Sequence, residues 1–208
     1  MSGWWDLAYR SGAPWDYGSP PDELTELVKS GYLQPCRSLD VGCGTGTSVT
    51  YLAGKGFDAY GLDISKVAIK NALAKARDLK VKCDLRLMNF LDVEAVSKLS
   101  MTFDLIMDLG CFHSLSGRDR LRYKKSLKIV SRSGSMYLLW CFLRGSRWSY
   151  GPPGVDREEA EETLSKEFLV IEKRQLGTSF RDMLFYIMRR DTGSLNSQEE
   201  CSKGVVRR

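Results

Sequence analysis

Leu39-Asp40-Val41-Gly42-Cys43-Gly44-Thr45-Gly46 joins an apolar run to a helix-forming stretch, and its reading decides the fold. Ser38 to Gly42 has the pattern of a buried strand ending in glycine, and Thr47 to Lys55 reads as a helix. Glycines at such a junction let the backbone turn tightly and come close to a ligand. The N-terminus of the helix that follows favours a negatively charged ligand group. A lone Gly-x-Gly says little, but two features add to this one. Asp40 stands two positions before the first glycine, where a carboxylate can meet a cationic amine. The spacing is Gly-x-Gly-x-Gly, not the GxGxxG of dinucleotide binders.

Outward from this loop, strand and helix patterns alternate. Asp58 to Asp63 reads as a strand, and Lys66 to Ala76 as a helix with apolar spacing Val67, Ile69, Leu73. Cys83 to Met88 and Phe103 to Asp108 read as strands, Arg118 to Val130 as a helix, and Ser135 to Leu143 as a strand. This alternation implies an α/β fold with a mostly parallel sheet and helices on both faces. Right-handed crossovers leave few topologies, and ligands of such sheets bind beyond the carboxyl ends of the strands. Further on come a loop, Arg144 to Gly154, a helix, Asp156 to Lys166, and two strands, Phe168 to Gln175 and Met183 to Arg190. Asp156 is placed to cap its helix, with Glu159 as capping-box partner.

Residues 1–35 are rich in Trp, Pro and Gly and offer one helix, Pro21 to Ser30, with Asp22 and Glu23 favouring its start. We read three segments: an N-terminal lid, 1–35, a main domain, 36–190, and a Ser-, Gly- and Glu-containing tail, 191–208, expected to be disordered.

Composition narrows the class. Apolar content of 43% and charged content of 27% are those of a globular protein. The longest apolar run, Met136 to Leu143, falls far short of the roughly 20 residues that span a bilayer. The first residues lack the basic and apolar blocks of a secretory signal, so a cytoplasmic location is expected. The six cysteines form no CxxC pair, and there is one histidine, so neither a disulfide framework nor a metal site is expected. The net charge of +5 draws on Arg118, Arg120, Arg122, Lys124, Lys125, Lys128 and Arg132. With Leu121, Leu127, Ile129 and Val130 between them, these read as the wet face of an amphipathic helix, and nucleic-acid binding is not expected from that face alone.

Other candidate residues fall at the predicted strand ends. Asp63, 23 residues after Asp40, ends its strand where a carboxylate can grip both hydroxyls of a ribose, and Ile64 lies beside it. Asn89 and Phe90 follow the next strand, where an adenine ring would meet an amide oxygen and a backbone group. His113 follows the fourth strand and is open to reading as base, substrate anchor or structural hydrogen-bonder. Trp4, Trp5, Tyr9, Trp15 and Tyr17 near the start, with Trp148 and Tyr150 in the later loop, read either as lid packing or as an aromatic cage for a cation and an apolar substrate. Cys43 and Cys111 read as small buried residues, so a covalent cysteine mechanism is not expected.

These motifs resemble the Rossmann-like, class I S-adenosylmethionine-dependent methyltransferases. Trp5-Asp6-x-x-Tyr9, Gly12-x-Pro14-Trp15-Asp16-x-Gly18-x-Pro20, Asp108-x-Gly110-x-Phe112-His113 and Gly151-Pro152-Pro153 are similar to the thiopurine and tellurite-resistance type. The resemblance covers about Trp4 to Arg190. It implies a three-layer sandwich with a seven-stranded sheet whose last strand is antiparallel. It implies S-adenosylmethionine as cofactor and a small-molecule acceptor, with sulfur, selenium or oxygen ahead of nitrogen. Gly42, Cys43 and Gly44 would face the methionine end, Asp63 the ribose, and Asn89 and Phe90 the adenine. Asp108, or the Leu109 backbone, would lie near the methionine amine, and Trp15 with Trp5 and Tyr9 would close over the site. Asp108 and His113 are the candidate catalytic residues; Trp5, Tyr9, His113, Trp148 and Tyr150 are candidates for substrate binding.

Many relatives carry Asp where this chain has Asn89, and an amide oxygen still accepts a hydrogen bond, with less charge assistance. The fourth strand ends Asp108-Leu109-Gly110-Cys111, not in the Asp/Asn-Pro-Pro-Tyr/Phe of enzymes acting on base or glutamine amide nitrogens. Other readings are a protein or RNA methyltransferase, a non-catalytic S-adenosylmethionine-binding scaffold, and a nicotinamide-dependent oxidoreductase, against which the glycine spacing and Asp40 argue.

Overall fold

The computed structural model describes residues 2–144, 153–177 and 182–191. Trp148, Tyr150 and nearly all of the expected tail lie outside the described residues.

Five parallel strands form the body of the sheet: β1 (Arg37–Val41), β2 (Asp58–Asp63), β3 (Asp84–Leu87), β4 (Phe103–Leu109) and β5 (Ser131–Phe142). β6 (Phe168–Gly177) and β7 (Asp182–Arg190) complete it in the order β3-β2-β1-β4-β5-β7-β6. β7, the last strand in the chain, runs antiparallel to both its neighbours. The central strands are buried along most of their length because helices cover both faces, which is why they read as continuous apolar runs.

One face is covered by α2 (Asp22–Lys29), α3 (Thr47–Gly54) and α4 (Lys66–Asp78), which place Leu24, Leu52 and Ala72 against Leu105 and Met107. On the other, α5 (Val93–Ser97), α6 (Gly117–Val130) and α7 (Glu159–Leu164) pack Val96, Leu127 and Leu164 around Ile106 and Leu139. Each fully buried leucine or isoleucine contributes roughly 1.5–3 kcal/mol by leaving water, so these two seams hold the three layers together.

Three expectations are corrected. The N-terminal segment has a further helix, α1 (Ser2–Arg10), because Trp5 and Tyr9 stand four apart and pack inward together. α7 begins three residues late: Glu159 does reach back to the Asp156 N–H at 3.1 Å, but the Asp156 carboxylate pairs with Arg144 instead of capping. On α6, Arg120 is buried and bonds Glu159 and, at 3.0 Å, the Gly154 carbonyl, while Leu121 is exposed. Arg120 therefore leaves the basic face and ties the end of the later loop to the domain.

Candidate active site

The register of the sheet brings the carboxyl ends of β2, β1 and β4 side by side, and with them Asp63, Asp40 and Asp108. Between them runs the glycine loop. The Gly42 and Cys43 N–H groups donate to the Leu62 carbonyl at 2.8 and 3.0 Å, pinning the loop to β2. Gly42 has φ +74°, and a Cβ there would lie 2.9 Å from the Cys111 Cβ, so only glycine fits between the two loops. Gly46 caps α3 in the left-handed conformation with no side-chain bond, so no side chain occupies the first-turn N–H groups of α3.

The three carboxylates differ in how they are satisfied. Asp63 accepts the Gly44 N–H at 2.9 Å through one oxygen and the Ser65 N–H at 2.7 Å through the other. Burial raises its pKa, and the N–H donors of Ser65, Gly44 and Ile64 oppose that rise. A carboxylate offers about four lone-pair sites, so Asp63 retains acceptor capacity. Asp40 is only 2% exposed, and its Oδ1 has no hydrogen-bond partner. Burial, then the charges of Asp108 and Asp63, push its pKa well above the ordinary range. A lone buried carboxylate is costly unless it takes a proton or meets a cation.

Asp108 is fully buried. One oxygen accepts the N–H groups of Gly110 at 3.0 Å and Cys111 at 2.7 Å; the other accepts the Phe112 N–H at 3.0 Å and the Tyr123 hydroxyl at 2.7 Å. Burial raises its pKa to about 6 against these bonds. The expectation that Asp108 meets reacting groups is therefore revised: its carboxylate is occupied in holding the turn after β4. Leu109, half-buried beside it, leaves its backbone at the sheet end.

That turn carries His113, only 4% exposed, in a short 3-10 turn (Phe112–Ser114). The Phe142 N–H donates to His113 Nδ1 at 3.4 Å, and the two rings lie 4.7 Å apart. An accepting Nδ1 leaves Nε2 to carry the hydrogen of the neutral ring. The His113 carbonyl accepts the Gly154 N–H at 3.1 Å.

α1 lies across the other side. Asp6 accepts the Ser65 hydroxyl at 2.6 Å and the Val67 N–H at 3.2 Å, docking α1 on the start of α4. This sets the Tyr9 hydroxyl 2.7 Å from where a Gly44 Cβ would be, so the tyrosine fills the room that glycine leaves. Trp15, 37% exposed, donates to the Tyr9 hydroxyl at 3.4 Å and packs edge-on against Trp5 at 5.7 Å. Asp16 accepts the Thr45 hydroxyl at 2.7 Å, joining the same segment to the glycine loop.

At the β3 end, the Asn89 amide oxygen accepts the Leu91 N–H at 3.0 Å, and Phe90 packs on Tyr123 with ring centroids 5.0 Å apart. An open groove of about 520 Å³ runs beside them, lined by Asn89, Leu91, Asp92, Val93, Arg122 and Lys125. Another cavity, at the opposite ends of the strands, is lined by Cys36, Arg37, Asp58, Asp104 and Arg132 and shares none of these residues. Among the described residues no group of three His, Cys, Asp or Glu side chains is placed to hold a metal.

The structure thus gathers Asp40, Gly42, Cys43, Gly44, Asp63, Ile64, Asn89, Phe90, Leu109 and His113 along one sheet end, with Trp5, Tyr9 and Trp15 beside them. Sequence reasoning missed Asp6 and Thr45, which fasten the N-terminal segment, and Tyr123, which anchors Asp108. Asp6 stood inside the Trp5-Asp6-x-x-Tyr9 motif, the one signal that could have drawn attention to it.

A mostly parallel sheet covered by helices on both faces, with a glycine loop and acidic strand ends, defines the Rossmann-like α/β class. The chain belongs to the methyltransferase family: residues 39–134 match the methyltransferase domain, and the chain is 31% identical over 166 residues to probable thiol methyltransferase 2 of Arabidopsis thaliana, covering 78% of this chain and 72% of that one. It is 29% identical over 159 residues to the 2-heptyl-1-hydroxyquinolin-4(1H)-one methyltransferase of Mycobacteroides abscessus, covering 76% and 69%. A solved structure from work on the conversion of a disulfide bond into a thioacetal group during echinomycin biosynthesis shares the fold, with TM-score 0.77, 23% identity, and 92% and 93% of the two chains covered. No helix among the described residues is long and apolar enough to cross a membrane.

Proposed function

We propose that this methyltransferase draws its methyl group from S-adenosylmethionine and passes it to a small-molecule acceptor, sulfur, selenium or oxygen ahead of nitrogen. The residues fit that cofactor. The partnerless Oδ1 of Asp40 is suited to an ammonium group, and the backbone of Gly42, Cys43 and Gly44 would face the methionine end. Asp63 would take the ribose hydroxyls with its remaining lone pairs, with Ile64 beside it. Asn89 and the Phe90 backbone would take the adenine, and the Leu109 backbone would adjoin the amine. When bound, the cofactor supplies a methyl group activated on a sulfonium, which an acceptor takes by in-line displacement.

The chain's own residues then have to align and to exclude water, and alignment can supply up to roughly 7–11 kcal/mol. Residues 1–35 act as a lid on the domain at 36–190, with Trp5, Tyr9 and Trp15 as its inner wall. His113, in the turn after β4, would lie beside the acceptor.

One observation carries the acceptor preference: the two candidate proton acceptors are engaged. His113 Nδ1 is taken by a backbone N–H, and Asp108 by a whole turn. An acceptor that ionises near neutral pH needs little base help, as thiols do with a pKa of about 8.5, whereas an alcohol needs more. The names of the plant and mycobacterial relatives, a thiol and a hydroxyquinolone methyltransferase, agree with a small acceptor. The test is conversion of S-adenosylmethionine to S-adenosylhomocysteine with an aromatic thiol, an aliphatic thiol, a phenol and a primary amine. The thiols are expected to turn over fastest; a faster amine would sink the preference.

A further inference from the structure

Behind the site, a polar chain crosses the core that methyl transfer as described does not use. The Tyr123 hydroxyl, on α6, donates to Asp108 at 2.7 Å and lies 2.9 Å from the Tyr137 hydroxyl on β5. Both tyrosines are fully buried, and α6 and β5 have no other reason to place hydroxyls there: phenylalanine would fill the same volume. Buried polar chains of this kind are costly unless every member is satisfied, and rigid when they are. Here the chain ends on a carboxylate whose other bonds all go to the turn Gly110–Phe112. That turn in turn abuts Gly42, where a single added carbon would strike Cys111.

We infer that Tyr123, buttressed by Tyr137, is a positioning residue for the transfer site: its hydroxyl fixes Asp108, and through it the turn that carries His113 and sets Cys111 against the glycine loop. It touches no reactant. The inference rests on the proposed S-adenosylmethionine site at that loop. Its chemical content is the charge state of Asp108. An ionised carboxylate accepts all of these donors, while a protonated one surrenders acceptor sites and brings a hydrogen of its own. The titratable groups facing Asp108 are Asp40 from β1, Cys111 from the turn, Tyr123 from α6, and Tyr137 and Cys141 from β5, with Asp63 acting on Asp40 and Cys111. Tyr123 favours the ionised form, so its loss raises the pH at which Asp108 takes a proton.

The experiment is titration with S-adenosylhomocysteine between pH 5 and 8, beside an NMR pH titration of the Gly110, Cys111 and Phe112 amides, for the wild type, Tyr123→Phe and Tyr137→Phe. The wild-type amides are expected to titrate near pH 6, where ligand affinity also falls. In Tyr123→Phe both midpoints should rise by roughly one pH unit, with affinity at pH 7 about two-fold weaker. Tyr137→Phe, which leaves the Tyr123–Asp108 bond in place, should move both in the same direction by less, and it carries the test if Tyr123→Phe does not fold. A purely structural pair would lower the melting temperature and raise the amide midpoint while leaving the midpoint of ligand affinity where it is, and that result would overturn the inference. A wild type that fails to bind the ligand would instead count against the cofactor reading, and the amide midpoints alone would then decide for or against the clamp.

Discussion

Asp6 accepts the Ser65 hydroxyl at 2.6 Å while the same Ser65 oxygen accepts the Ala68 N–H at 3.1 Å, so one serine both caps α4 and holds α1. α1 and Asp63 therefore share an anchor, since the Ser65 N–H also donates to Asp63.

A helix of nine residues does not hold itself, because isolated helices below about 12–15 residues are marginal in water. Asp6→Ala should release α1 while the sheet stays folded. Limited trypsin digestion should then cut faster after Arg10, and binding of S-adenosylhomocysteine should weaken as Tyr9 leaves Gly44. Equal cleavage rates in variant and wild type would show that the aromatic cluster alone holds the helix.

Asp40 should set stability against ligand binding. Its folded-state pKa is raised above the unfolded value, chiefly by burial. Its contribution is therefore fully present below the unfolded pKa of about 3.9 and is lost as pH rises towards the folded one, up to about 1.4 kcal/mol for each pH unit that separates the two values. Asp40→Asn should melt higher than the wild type at pH 8 without ligand, and gain less on adding S-adenosylhomocysteine. Wild-type binding should also release a proton, visible as a buffer-dependent heat in calorimetry, and the variant should not. A variant that melts lower than the wild type at pH 8 and still releases the proton would remove Asp40 from this role.

His113 can be told apart as donor or base by two substitutions. Glutamine keeps an N–H near the Nε2 position, while alanine keeps nothing. If the ring orients an acceptor by donating, His113→Gln should retain much of the turnover with a thiol acceptor and His113→Ala should lose roughly 5- to 150-fold, the equivalent of about 1–3 kcal/mol for a lost buried hydrogen bond. Cofactor affinity should stay close to that of the wild type in both. Equal loss in the two variants would favour a base; no loss in either would make His113 structural.

The parallel body of the sheet was legible residue by residue. Leu39 to Gly46, Gly61 to Ser65 and Phe103 to Asp108 each carry their conformation locally, as apolar runs that close on glycine or aspartate. α4 was read from the spacing of Val67, Ile69 and Leu73, of which Ile69 is buried and Leu73 exposed. α1 was not legible, because the four-residue spacing of Trp5 and Tyr9 alone does not hold so short a helix, and its docking depends on Asp6 finding Ser65, 59 positions away. Arg120 was misread for the same reason: its spacing marks a wet face, and only Glu159 and Gly154, brought up by the return from β5, make its burial tolerable.

The three aspartates draw the same line most sharply. That Asp40, Asp63 and Asp108 stand at the carboxyl ends of parallel strands was legible from residue order, because right-handed crossovers put those ends on one edge of the sheet; that β4 lies beside β1 and not beside β3 came with the fold. Their division of labour came with the packed fold. Asp63 is shared with the glycine loop, Asp108 is taken up by its own turn and Tyr123, and Asp40 is left with an oxygen that nothing in the described residues satisfies. Hydrogen bonding inside a protein depends on which distant groups arrive within about 3 Å, and spacing along a chain does not carry that information.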